Sequence, residues 1–152
     1  MATKAERERQ HQANLQRIGE VQLVVGRGDR TRIDHEGSLL EQARMWAEEI
    51  GSHEATERGL AALERLLRLA AERQSTQARN CFEFLRALRE QRAFPLPLLR
   101  GVEREVGDDM LAVLDAYRYA RVSLIEQVEG GARRVGKVID RWLQADRALE
   151  NR

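Results

Sequence analysis

The chain is nearly devoid of cysteine, proline and lysine. Cys81 is the single cysteine among 152 residues, so no internal disulfide can form. That excludes the disulfide frameworks that hold small secreted domains together. The two prolines, Pro95 and Pro97, both lie in RAFPLPLLR. Each removes a helix donor and restricts the residue before it, which makes this stretch the clearest break in the chain. No apolar run approaches the roughly 18 residues of a membrane-spanning helix. The start, MATKAERERQHQANLQ, is polar and lacks the apolar core of a signal peptide. Lysine occurs only at Lys4 and Lys137 among 26 basic residues, so the other 24 are arginine. A ratio so skewed reads as the codon usage of a GC-rich bacterial genome, and the expected location is the bacterial cytosol.

Apolar residues make up 42% and charged residues 34% of the chain. That is too apolar for general disorder and too charged for a membrane protein, and the length suits one core. Net charge is only +1, so the chain is no polycation, but the charges are unevenly placed. Residues 73–104 carry seven arginines against three acids, 105–129 six acids against two arginines, and 130–152 six basic groups against three acids. Such alternation fits adjacent helices with complementary solvated faces, or a basic surface facing an acidic or nucleic-acid partner.

Apolar spacing predicts helices almost throughout. Residues 4–18 read as helix. The following EVQLVV is rich in β-formers, so either the helix runs on to about residue 25 or residues 21–25 and 30–34 form a hairpin; the helix is the preferred reading. GRGDR contains the tripeptide Arg27-Gly28-Asp29. In a chain with no secretion signal it reads as a glycine-rich turn, since glycine supplies positive-φ freedom and aspartate suits turns. Ser38 and Glu41 have capping-box spacing. Leu39, Ala43, Trp46 and Ile50 then form an apolar stripe, which Gly51 is expected to end. Leu60, Leu63, Leu67 and Ala70 repeat at spacings of three and four, and the register continues through Gln74 and Gln77 to Cys81, Phe84 and Leu88. This predicts one helix over about 53–92, or two split near QST. After the prolines come a short helix in LLRGVEREVG, a helix burying Met110, Leu114, Tyr117, Leu124 and Val128, and a last helix burying Val135, Val138, Ile139, Trp142 and Leu143. The fold class expected is all-α: a bundle of five to seven helices with one long central helix or helical hairpin. Residues 1–37 would form an N-terminal helical arm with its glycine-rich turn, and residues 38–152 the helical bundle domain.

Motifs for chemistry are sparse. The histidines are His11, His35 and His53. The side chains of Asp34, His35 and Glu36 point apart, Gly51 is expected to part Glu49 from His53, and the paired Glu-x-x-His motifs of di-iron bundles do not occur. No metal or other cofactor is expected. Cys81 lies on an apolar register with no base placed near it, which marks a core residue rather than a nucleophile. Arg30 and His35 resemble the Arg-x4-His pair of some helical ribonucleases, but that pair lies on a core helix and this one in a loop. Phosphate-loop patterns are absent around GRGDR.

Two binding surfaces remain. The seam of Leu60, Leu63, Leu67, Gln74, Phe84 and Leu88 is coiled-coil-like with a polar step, and would join copies of the chain, a dimer being favoured. On the last helix Arg133, Arg134, Lys137 and Arg141 span one quadrant opposite the apolar face. With Arg79, Arg86 and Arg89 on an earlier helix they could meet phosphates or an acidic protein. Base-stacking aromatics near those arginines are limited to Phe82 and Phe84. A helix-turn-helix reading of residues 98–123 is weakened by Asp108 and Asp109, which would repel phosphates. The expected function is therefore a non-enzymatic interaction, adaptor or regulatory protein that self-associates through the 60–88 seam. It would act with a protein partner, without membrane or small-molecule substrate. The alternative is a nucleic-acid-binding accessory or regulatory protein, of the kind a mobile element encodes, using the basic last helix.

Overall fold

The computed structural model describes residues 2–72, 75–120 and 123–152. In chain order these form α1 (Lys4–Gly19), β1 (Leu23–Val25), a 3₁₀ turn (Gly28–Arg30), β2 (Arg32–Asp34), α2 (His35–Ala71), α3 (Thr76–Glu90), α4 (Leu98–Gly101), α5 (Arg104–Tyr119), α6 (Leu124–Gln127) and α7 (Gly131–Glu150). The fold is an all-α bundle with a long central helix; the one sheet among the described residues is a two-stranded hairpin. Two compact units, residues 2–54 and 55–152, part within α2. Residues 38–54, expected with the bundle domain, thus pack with the N-terminal segment.

In the unit of residues 2–54, Thr3 and Glu6 close a capping box at the start of α1: the Glu6 amide donates to Thr3 Oγ1 and the Thr3 amide to Glu6 Oε2. The helix stops at Gly19 rather than near residue 25, so the expected helical extension is wrong and the hairpin forms instead. Leu23, Val24 and Val25 pair antiparallel with Asp34, Ile33 and Arg32. Branched side chains favour the extended chain. Gly26 adopts φ +95, where an added Cβ would overlap the Arg30 carbonyl. GRGDR is accordingly the exposed loop of this hairpin.

Asp34, not Ser38, caps α2, its Oδ1 accepting from the Gly37 amide at 3.0 Å. Ser38 is buried one turn into the helix, where its hydroxyl donates to the Asp34 carbonyl at 2.6 Å and accepts from the Leu23 amide at 2.8 Å, tying the hairpin to α2. Nor does Gly51 end the helix, because α2 continues through it to Ala71. The stripe of Leu39, Ala43, Trp46 and Ile50 therefore lies on a continuous helix; Leu39, Ala43 and Ile50 are exposed, Leu39 at 66%, while the partly exposed Trp46 turns to α1, its Nε1 donating to the Leu15 carbonyl at 3.0 Å.

The unit of residues 55–152 holds the apolar core. Leu60, Leu63, Leu66, Leu67, Phe82, Leu85, Met110, Val113, Val135, Ile139 and Trp142 are among its members, drawn from α2, α3, α5 and α7. The polar QST step is a helix break: α2 ends at Ala71, and Ser75 caps α3 by accepting from the Ala78 amide at 3.0 Å. On α5 the buried face is Val106, Met110, Val113 and Ala116. Leu114 and Tyr117, expected inside, are exposed, because α5 starts at Arg104 and stops at Tyr119 and Leu124 belongs to the separate turn α6. The last helix is as its spacing predicts, with Val135, Val138, Ile139 and Trp142 buried. Gly59 on α2 lies close against α5, where an added Cβ would overlap the Ala116 methyl. No described helix is long and apolar enough to cross a membrane.

Candidate functional site

The seam expected to join copies of the chain is occupied within one chain. Leu60, Leu63, Leu67 and Phe84 are buried in the core of their own unit, Leu88 packs on it half-buried, and Gln74 lies outside the described residues. A spacing of three and four marks an apolar face without saying whether another molecule or another helix of the same chain covers it. Here α3, α5 and α7 cover it.

The arginines divide between structure and surface. Arg134 reaches from α7 to α2, where Nη2 donates to Glu64 Oε1 at 2.9 Å and Nη1 donates to the other carboxylate oxygen and to the Glu129 carbonyl. Arg79 of α3 grips Asp146 of α7 at 2.6 and 3.0 Å, with its guanidinium over the rings of Phe82 and Trp142. Arg65 of α2 grips Asp109 of α5 at 2.8–3.2 Å. These bidentate contacts bind helices to one another. Glu64 accordingly has its carboxyl held below its ordinary range, first by the hydrogen bond from Arg134 against the cost of burial. Arg86 pairs with Glu90 on its own helix, and Arg89 lies over Gly136 with a loose 3.9 Å contact to Asp140. Of the seven cations singled out in the sequence, Arg133, Lys137 and Arg141 are exposed and make no hydrogen bond or ion pair among the described residues. They follow one another at four-residue steps along the outer face of α7.

An apolar concavity lies where α3 and α5 end. One lobe of about 240 Å³ is walled by Phe84, Leu88, Phe94, Leu114 and Tyr117. A second, of about 390 Å³, is walled by Leu88, Tyr117, Ala120, Leu124 and Ile125. The lobes share Leu88, Gln91 and Tyr117 and so adjoin as one groove. Phe84 and Phe94 meet edge to face with ring centroids 5.3 Å apart and stiffen one wall. The groove begins at a strained point: Gln91, the cap of α3, is the one described non-glycine residue at positive φ, +53. Its charged lining consists of Arg89 and Arg92, with no carboxylate among the described lining residues. Leu114 and Tyr117 were expected in the core; their exposure is what opens this groove.

A second cluster escaped the sequence reading. His11 of α1 and His53 of α2 stack face to face, ring centroids 3.9 Å apart and 4° from parallel. His11 Nδ1 lies 3.0 Å from Glu49 Oε1, which also accepts from Asn14, and His53 Nε2 lies 2.9 Å from Glu8 Oε2. Hydrogen bonds from Gln12 and then His53 hold the Glu8 carboxyl below its ordinary range. Two spacings were the available signals: Glu8-x-x-His11 on α1, and Glu49 to His53 one turn apart once α2 is continuous. Ring-nitrogen lone pairs lie in the ring planes, so two parallel rings cannot converge on one ion. No group of three or more histidine, cysteine or carboxylate side chains among the described residues is arranged to hold a metal. The cluster is a polar clasp between α1 and α2.

The sites named for catalysis stay apart. Cys81 is fully buried, and burial pushes its thiol up to about 12, with Asp109 adding to the shift. Arg30 sits on the exposed hairpin turn and His35 is exposed at the first turn of α2.

Residues 60–143 match a family of unknown function, DUF7673. The match takes in more than half of the chain, and the chain belongs to that family. No curated protein matches the chain, and no solved structure does.

Proposed function

We propose that this member of the DUF7673 family is a non-enzymatic cytosolic interaction module that docks a segment of a partner protein in the groove at the ends of α3 and α5. One observation carries the reading: a surface groove lined by Phe84, Leu88, Phe94, Leu114 and Tyr117 whose only described charged lining groups are Arg89 and Arg92. Soluble chains seldom leave such apolar concavities open unless something binds there. An apolar floor beside guanidinium groups suits an amphipathic segment that presents bulky apolar side chains one helical turn apart and carries carboxylates at its flank.

The test is selection of peptides from a displayed library against the full-length protein. The winners should carry apolar residues at i and i+4 with Asp or Glu nearby. Their binding should fall about tenfold or more on Tyr117→Ala, Leu114→Ser or Arg92→Glu, all at exposed positions. Winners indifferent to these three changes would overturn the reading.

A second reading rests on the free cations of α7. Arg133, Lys137 and Arg141 stand in a row that could follow a phosphate backbone, making this an accessory nucleic-acid-binding protein. Binding to a mixed DNA and RNA pool at low salt, with the salt slope reduced by about one per cation changed to glutamine, would favour it. Retention of binding by the triple glutamine variant would remove it.

A further inference from the structure

We propose that the groove and the cation row of α7 are two halves of one docking surface, joined at Arg89, and that its occupant is a peptide segment whose apolar anchors adjoin an acidic tract. This inference rests on the groove reading above and names the chemistry of the segment's second half. Arg89 belongs to both halves. It lines the lobe of the groove walled by Leu88, Leu124 and Ile125. Its guanidinium also lies against α7 at Gly136, where an added Cβ would sit 3.4 Å from Nη2. Glycine at 136 leaves the room in which that guanidinium lies. Arg133 is three residues before Gly136 and shares its face of α7. Lys137 and Arg141 follow, each turned about 40° further round the helix. The helices α3 and α6, which contribute walls to that lobe, both pack on α7.

The occupant follows from charge and from the kind of wall. Arg92 is already engaged, its Nη1 donating to Glu90 Oε2 at 3.2 Å, whereas Arg89 has only a 3.9 Å contact to Asp140. Asp140 is the one carboxylate in contact with Arg89 or the row cations among the described residues. Such an excess of positive charge is complementary to an acidic ligand. Carboxylates of a peptide suit it better than phosphates of a nucleic acid. The adjoining lobe is walled by aliphatic Leu88, Leu124 and Ile125, with Tyr117 its one aromatic. It takes apolar side chains but offers little for bases to stack on. From Arg133 to Arg141 the row rises about 12 Å along α7, a length that about four residues of extended chain span.

The probe is the tightest groove peptide from the displayed library, made as selected and with a run of about four glutamates added at one end or the other. Each is titrated against the full-length protein by fluorescence anisotropy at about 50 mM salt. The glutamates should tighten binding about three- to tenfold at one of the two ends. That gain should vanish when Arg133, Lys137 and Arg141 are all changed to glutamine, shrink in Arg89→Gln, and grow in Asp140→Asn. Tyr117→Ala should weaken the short and the extended peptide alike, since it removes an anchor and not the tract. Glutamates that add nothing at either end, or a gain that survives the triple variant, would overturn the joined surface and leave the groove reading standing. Peptides indifferent to Tyr117→Ala, or a library that yields none, would overturn the groove reading and this inference with it. A random single-stranded DNA that binds more tightly than the extended peptide, and is lost in the triple variant, would assign the row to nucleic acid and overturn the proposal.

Discussion

Gly51 and Gly59 both sit inside α2, and replacing each with alanine should shift stability in opposite directions. Alanine is better than glycine in a helix interior by about 1 kcal/mol. At Gly51 an added Cβ meets no atom within 4 Å, so G51A should keep that gain, raising Tm by roughly 2–4 °C for a chain of this length. At Gly59 the same methyl would overlap the Ala116 Cβ and sit 3.0 Å from the Ala112 carbonyl oxygen. A backbone carbonyl cannot rotate away, so α5 must move. Overpacking of this kind costs about 1–3 kcal/mol, at least as much as the helix gain, and leaves G59A about 0–2 kcal/mol less stable. Removing the opposing methyl with Ala116→Gly should relieve the clash, so the double variant should show a favourable coupling of about 1–2 kcal/mol. Urea and thermal unfolding followed by circular dichroism at 222 nm provide the numbers. A destabilised G51A would mean that Gly51 closes a helix in a left-handed conformation and that α2 is two helices. A stabilised G59A would mean that α2 and α5 do not touch there.

Three further outcomes follow from the same contacts. The Glu64 carboxyl, held low chiefly by Arg134, contributes stability that is present above its ordinary value of 4.5 and lost as pH falls below it; the gap in urea midpoint between wild type and Arg134→Gln should therefore shrink from pH 7 to about 3.5, and a constant gap would refute the linkage. The Cys81 thiol, buried and pushed up to about 12, should react with an aromatic disulfide reagent at pH 8 only as fast as the chain unfolds; rapid labelling of the native protein would refute its burial. Trp142 donates from Nε1 to the Ala70 carbonyl at 2.7 Å, and Trp142→Phe would leave that buried carbonyl at the end of α2 without its donor. The expected loss is about 1–3 kcal/mol, and a loss under about 0.5 would show the bond to be unimportant.

The class of fold and its buried faces were legible where periodicity was long and uninterrupted. The α7 set of Val135, Val138, Ile139 and Trp142 and the 60–88 register both mark buried faces. What the spacing does not carry is the identity of the covering surface. The same three-and-four pattern describes Leu60 to Leu67, sealed inside their own unit, and Leu39 to Ile50, left open. Glycine was the second source of error. Gly51, read as a helix end, lies inside α2 and faces open space, whereas Gly59, within the same helix, admits a neighbouring helix. Residues 21–25 turned on a balance between helical spacing and branched side chains, which Gly26 at positive φ decided for the hairpin. The His11 and His53 clasp needed a continuous α2, so the misplaced helix end at Gly51 also hid the cluster.

The two units differ in how much apolar surface they bury. In residues 55–152 a large set of apolar side chains is buried, and Arg65, Arg79 and Arg134 each reach a carboxylate on a neighbouring helix with two or more hydrogen bonds. Such pairs fix the order in which helices pack more than they add stability, because exposed charge pairs contribute little on their own. A core of Phe82, Leu63, Leu66, Met110 and Ile139 supplies the driving force there. In residues 2–54 the interior holds Ile18 beside two imidazoles, a buried serine and a carboxylate, and the polar groups orient helices but provide little gain on leaving water. The apolar residues that could supply such a gain, Leu39, Leu40 and Ile50, are on the outside. A helical hairpin with a hydrogen-bonded seam and an apolar back recovers that burial only when something covers its back. The stretch that matches the family, residues 60–143, falls within the unit that holds the large apolar core.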